Sequence, residues 1–290
     1  MLYSYGITQI GSYHVEKDLV CQDAHFIRKL SDHFAVAAVA DGLGSESRSD
    51  IASKIAAEQS VSYCVEHLNE TSSDQEMLQT IHEAFKTAFQ EIQNTAKSAN
   101  EELTEYDTTL SLAVYRDGRL FYGNSGDSGI VVLHSDGLYE SVTEQQRDEN
   151  GYVYPLCFED KWVFGLKENV SSVFLATDGM LETLFPYLLR NETVTIYVAL
   201  ARFFMDERLL DFEKIGENGV RQKMDAFIAS ISPTQVNDDK TVLVMVDTDY
   251  PSELQADEYY STPDWAMLKE KHDEAFRRAA YPDLYANNGE

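Results

Sequence analysis

The chain has 290 residues, 43% of them apolar, which is material for one large core in one or two domains. Its formal charge of −27, with no cluster of Lys and Arg, excludes a nucleic-acid partner, since phosphate backbones are gripped by such clusters. No apolar run approaches the ~20 residues that a membrane helix needs, and Met1 to Gly6 lacks the basic flank and apolar stretch of a signal peptide, so no membrane association and a cytoplasmic location are expected.

In chain order, apolar alternation and β-branched content predict strands near 2–10, 22–29 and 33–41. The third ends on Asp41-Gly42 and opens into a predicted helix over 47–68. A second helix over 74–98 carries Met77, Ile81, Phe85, Ala88 and Ile92 on one face. Strands follow near 108–115, 119–125 and 129–135. The polar stretch from Glu140 to Trp162, with Glu144, Arg147, Asp148, Glu149 and Gly151, has no clean period; a long irregular loop in a compact domain is often functional. A strand near 171–178 then leads into Asp178-Gly179 and a helical run of Met180, Leu181, Leu184 and Phe185. Helices near 192–206 and 219–230 precede Asp238-Asp239 and a last strand near 241–247. Hairpins outnumber strand-helix-strand alternation, so an α+β fold of mainly antiparallel sheets with helices outside is expected. The division falls after residue 248: residues 249–290 read as an acidic linker and a helical tail, with Trp265, Leu268, His272 and Phe276 on an amphipathic helix that caps the surface.

Asp-Gly is the commonest hairpin signal, and the chain supplies its own controls. Asp117-Gly118 and Asp136-Gly137 have strand on both sides and read as plain turns. Asp41-Gly42 and Asp178-Gly179 instead stand between a buried strand and a helix. Carboxylates at fixed strand ends, joined by the Asp238-Asp239 pair, can converge on hard divalent cations with oxygen ligands alone. Bound cations would also invert the local field of an acidic surface that otherwise repels anionic substrates. Cys21, Cys64 and Cys157 are odd in number and widely spaced, so they read as packed thiols.

Six motifs stand in a fixed order: Cys21-Gln-Asp23, Ala40-Asp-Gly-Leu-Gly44, Asp107-Thr-Thr109, Gly126-Asp-Ser128, Ala176-Thr-Asp-Gly179 and Asp238-Asp-Lys-Thr241. In this order the chain resembles the metal-dependent type 2C (PPM) serine/threonine protein phosphatases up to about Asp247. Cys-Gln-Asp with Gly11-Ser-Tyr-His14 upstream is similar to a bacterial branch. The resemblance implies a four-layer αββα sandwich. It implies two Mn2+ or Mg2+ ions, with Asp41 bridging both, the Gly42 carbonyl ligating one, and Asp178 and Asp238 completing the other site. Asp127, Asp178 and Glu182 match a third, weaker site, although the family carries Asp where this chain has Glu182. Asp23 would orient the metal-bound water, with Gln22 where many members have Glu.

The implied reaction is hydrolysis of phosphoserine and phosphothreonine in proteins by a hydroxide bridging two cations roughly 3.5–4 Å apart. Its partners would be a phosphorylated protein and a cognate serine/threonine kinase or its targets. Asp18 stands where many members place the Arg that holds the substrate phosphate, which leaves His14, Lys17 or Arg28 as substitutes. Leu43 replaces the His of animal members, and Gly129 the Arg that usually follows Gly-Asp-Ser. The alternative reading is a catalytically weak phosphoprotein-binding module of the same fold.

Overall fold

The structure is a computed structural model that describes residues 1–282. Its strands are β1 (Leu2–Gln9), β2 (Asp23–Ser31), β3 (Phe34–Asp41), β4 (Leu110–Arg116), β5 (Arg119–Ser125), β6 (Gly129–His134), β7 (Tyr139–Ser141), β8 (Val163–Lys167), β9 (Val170–Ala176) and β10 (Lys240–Asp247). Its helices are α1 (Ser12–Glu16), α2 (Ser49–His67), α3 (Asp74–Ala99), α4 (Asp178–Leu184), α5 (Val198–Met205), α6 (Glu207–Leu210), α7 (Phe212–Ala229) and α8 (Trp265–Ala280). One antiparallel sheet runs β1-β10-β9-β6-β7 and the other β2-β3-β4-β5-β8.

Strand alternation builds the layers. In β3, Phe34, Val36, Ala38 and Ala40 face an outer core shared with α2 and α3, while Ala35, Ala37 and Val39 face the first sheet. Both faces are buried, which is why this strand reads as an unbroken apolar run. A third core lies between the other face of the first sheet and α4, α5 and α7. Three cores separate four layers, so the expected αββα sandwich is present.

The helices have local causes. A capping box closes the start of α3: Ser73 Oγ accepts from Glu76 N, and the Glu76 carboxylate accepts from Ser73 N. The helix stops at Asn100 in the left-handed region. The buried face of α2 is built from Ser49, Ala52, Ser53, Ala56, Ala57 and Ser60, small side chains that let the helix lie close to the sheet.

Several expected boundaries move. The predicted helix over 192–206 begins only at Val198, and the one over 219–230 begins at Phe212, with a break at Gly216, whose φ of 66° interrupts the helix. β8 and the short α1 have no counterpart among the predicted elements. β8 is a half-exposed edge strand, and its central Gly165 leaves room for the Tyr122 ring. The tail helix forms α8, with Leu268 buried, Trp265 edge-on to Tyr197 and Phe276 exposed. The end of the tail, residues 283–290, lies outside the described residues. Cys21, Cys64 and Cys157 are all unpaired, and no helix among the described residues is long and apolar enough to cross a membrane.

Candidate metal centre

The β2–β3 register sets Asp23 directly opposite Asp41 at one end of the second sheet. The Asp107-Thr-Thr109 motif then locks Asp41 in place: Thr109 Oγ1 accepts from Asp41 N at 2.9 Å, and Thr109 N and Thr108 Oγ1 both donate to Asp41 O at 2.8 Å. Thr109 Oγ1 also lies 2.8 Å from Ser128 Oγ, which ties the same motif to the neighbour of Asp127. After Asp41 the chain turns sharply through Gly42, where a Cβ would fall 2.5 Å from Ser49 O.

The first sheet supplies the other side. Thr177 N donates to Thr241 O at 3.2 Å and Thr241 N to Thr177 Oγ1 at 3.2 Å, so the ends of β9 and β10 are held together. Thr177 Oγ1 in turn donates to Asp23 Oδ2 at 2.7 Å, a hydrogen bond that spans the two sheets. Gly179 permits the close approach of the next segment, because a Cβ there would lie 2.2 Å from Asp239 O.

These constraints bring Asp41, Asp127 and Asp178 together, with a carboxylate oxygen from each within 4.8 Å of the others. Glu182 stands one turn after Asp178 on α4. The two members of the Asp238-Asp239 pair part company. Asp239 is buried and accepts from Gly11 N at 2.6 Å and Gln22 N at 2.7 Å, with His14 Nδ1 2.9 Å away. Asp238 is exposed as a residue, but partial loss of water at its carboxyl and then the charge of Asp178 raise it above its ordinary range. Among the described residues, neither Asp41 nor Asp238 has a Lys, Arg or His in ion-pair contact.

The cluster is electrostatically unbalanced. Loss of water, then the charges of Asp23, Asp178, Asp127 and Asp238, push the Asp41 carboxyl well above its ordinary range. Burial likewise raises Asp23, against the hydrogen bond from Thr177. Asp127 is pushed up to about 7 by burial and then by Asp178, with Arg147 pulling the other way. Asp127 Oδ2 is buried without a hydrogen bond. Crowded carboxylates of this kind, all hard oxygen donors, fit one or more divalent cations.

Of the basic candidates, His14 is buried and its Nδ1 is taken up by Asp239 at 2.9 Å. Arg28 lies five residues along β2 from Asp23, roughly 16 Å at strand rise, and stacks on the Phe26 ring at 4.1 Å. The cation at the cluster is one to which sequence reasoning gave no role. Arg147 Nη2 lies 2.5 Å from Asp127 Oδ2, 3.2 Å from Asp178 Oδ2 and 3.8 Å from Glu182 Oε1. The available signal was its position in the aperiodic 140–162 stretch, a lone Arg among acidic and amide side chains. Beside the centre, a cleft of about 1490 Å³ runs from Asp178 and Asp238 past Arg190 towards Tyr187, Tyr197 and Trp265.

A family profile described as "Protein phosphatase 2C" matches residues 10–228. The fold is similar to that of the serine/threonine phosphatase Stp1 from Staphylococcus aureus, at 17% identity and a TM-score of 0.61 over 85% of this chain and 95% of that one. It is also similar to the S. agalactiae serine/threonine phosphatase, at 14% identity and a TM-score of 0.56 over 85% and 99% of the two chains. PppA, a regulatory component of T6SS in Pseudomonas aeruginosa, aligns at 15% identity and a TM-score of 0.52 over 84% and 97%. Compared directly with curated proteins, the sequence matches none.

Proposed function

Because the chain belongs to the protein phosphatase 2C family, we propose that it hydrolyses phosphoserine and phosphothreonine esters in proteins, with manganese or magnesium held by its acidic centre. The observation that carries this reading is the meeting of Asp41, Asp127 and Asp178 within 4.8 Å, with Asp127 Oδ2 buried and lacking a hydrogen bond.

The residues would divide the work as follows. Asp41, the Gly42 carbonyl, Asp178 and Asp238 would hold two divalent cations, and Asp127 with Glu182 a third, weaker one. Such cations, when bound, make hydroxide available near neutral pH and offset charge on a phosphoryl group. Asp23, held by the hydrogen bond from Thr177, would orient the reacting water and accept its proton without ligating metal itself. Asp239 is taken up by Gly11, Gln22 and His14, whereas Asp238 is exposed and feels the charge of Asp178, which supports Asp238 as the ligand of the pair. His14 would act as a positioning residue for that segment. The cleft beside the centre offers space for the polypeptide that carries the phosphorylated residue. We further place the catalytic unit within residues 1–248, the tail outside it, and the protein in the cytoplasm.

Purified protein with added manganese should hydrolyse p-nitrophenyl phosphate and a phosphothreonine peptide. Asp41→Asn should lose about 100-fold in kcat/KM, since it replaces a charged oxygen that would hold the cations with a neutral amide. Folded protein that turns over neither substrate would sink the proposal, and tight manganese binding without turnover would favour the phosphoprotein-binding module instead.

A further inference from the structure

The 142–162 loop is seated on the acidic centre by a definite set of contacts. Gln146 N donates to Gly126 O at 3.0 Å, its Oε1 accepts from Gly126 N at 3.1 Å, and its Nε2 donates to Lys161 O at 2.9 Å. Gln145 Nε2 reaches Asp127 O at 3.4 Å. On the far side, Asp148 Oδ1 accepts from Asn150 N at 2.8 Å and Tyr152 N at 2.9 Å, and Gly151 turns the chain at a φ of 87°. Residue 147 is therefore clamped on both sides, beside Asp127. Its guanidinium is the one positive group that contacts the centre among the described residues.

We propose that Arg147 is a tethered countercation that occupies the outer position between Asp127, Asp178 and Glu182, so that a divalent cation and Arg147 exclude one another there. The inference rests on the reading of these carboxylates as cation ligands. Arg147 Nη2 hydrogen-bonds Asp178 Oδ2, but it meets Asp127 Oδ2 at 2.5 Å without hydrogen-bond alignment. The buried oxygen is neutralised in charge and left unsatisfied in geometry, which suits later replacement by a spherical ion. A divalent cation taking the same two oxygens would sit within a few ångströms of the guanidinium, and like charges at that separation repel. Arg147 must then leave, and the loop that carries it loses one of its anchors. Cation occupancy of the outer position and the seating of the 142–162 loop become reciprocal states.

Titration calorimetry of the full chain with manganese chloride alone tests this, with wild type, Arg147→Gln and Arg147→Lys first stripped of metal by a chelator. Arg147→Gln should tighten the weakest manganese step by about tenfold or add a binding event that wild type lacks, with Arg147→Lys nearer to wild type. A second measurement needs no variant: tryptic cleavage after Arg147 in wild type should speed up severalfold when manganese is added, because the displaced side chain becomes available. Identical stoichiometry and affinity in all three proteins, or cleavage at Arg147 indifferent to manganese, overturns the countercation role and leaves the phosphatase reading standing. No manganese bound by any of them overturns the phosphatase reading itself.

Discussion

Single residues at the centre are constrained by atoms that do no chemistry. At Gly179, a Cβ would meet the Asp239 carbonyl at 2.2 Å, and that backbone cannot yield without moving Asp238. Gly179→Ala should destabilise the protein by about 1–3 kcal/mol, the usual cost of overpacking, read as a lowered urea midpoint, and should weaken manganese binding. An unchanged midpoint would show that the 238–239 segment is looser than its packing implies. At the opposite end of β10, His33 Nδ1 lies 2.9 Å from Asp247 Oδ2. The hydrogen bond to Asp247, then the charges of Asp247 and Asp249, raise the imidazolium above its ordinary value. A raised folded value means that this pair contributes fully below the unfolded pKa of about 6.5 and fades as pH rises through the folded value. Urea midpoints of wild type and His33→Gln should therefore differ at about pH 6 and converge towards about pH 8.5. A gap that widens with pH would refute the sign. The effect should be small, because His33 is one-third exposed.

Among the elements, α8 differs from the rest in how little it buries. Leu268 is its one buried side chain, whereas α3 buries seven. Its other attachments are Trp265 edge-on to Tyr197 at 5.1 Å, His272 against Tyr187 and the exposed Lys271–Glu192 pair. Removal of residues 262–290 should cost roughly 1.5–3 kcal/mol, the worth of one buried aliphatic side chain, and leave p-nitrophenyl phosphate hydrolysis intact. Loss of cooperative unfolding in the truncated chain would instead make α8 part of the core. The contrast with α4 is one of purpose: α4 is short, yet its first residue is Asp178 and its buried Met180, Leu181 and Leu184 pin that carboxylate against the sheet.

Over the whole molecule, the chain carries a formal charge of −27 and still brings Asp41, Asp127 and Asp178 together, so folding works against self-repulsion there. Manganese at 100 times its dissociation constant should stabilise the wild type by about 2.7 kcal/mol per site, and the melting temperature of Asp41→Asn should rise far less. Equal rises in both proteins would place the bound metal elsewhere. Much of this was legible in the sequence. The apolar run of β3 and the strand ends at Asp41 and Asp178 are local patterns, and the ordered motifs include the Asp41, Asp127 and Asp178 that the fold brings together. β8, the late start of α5 and the break at Gly216 were not legible, because an edge strand with a central glycine and helices set by tertiary packing carry weak periodicity. The sequence by itself determined where Asp41, Asp127 and Asp178 stand, since each is fixed by the strand or turn beside it. Only the tertiary structure decided which cation meets them: Arg147 reaches Asp127 through the contacts of a loop without period, and proximity across a fold leaves no spacing in the chain.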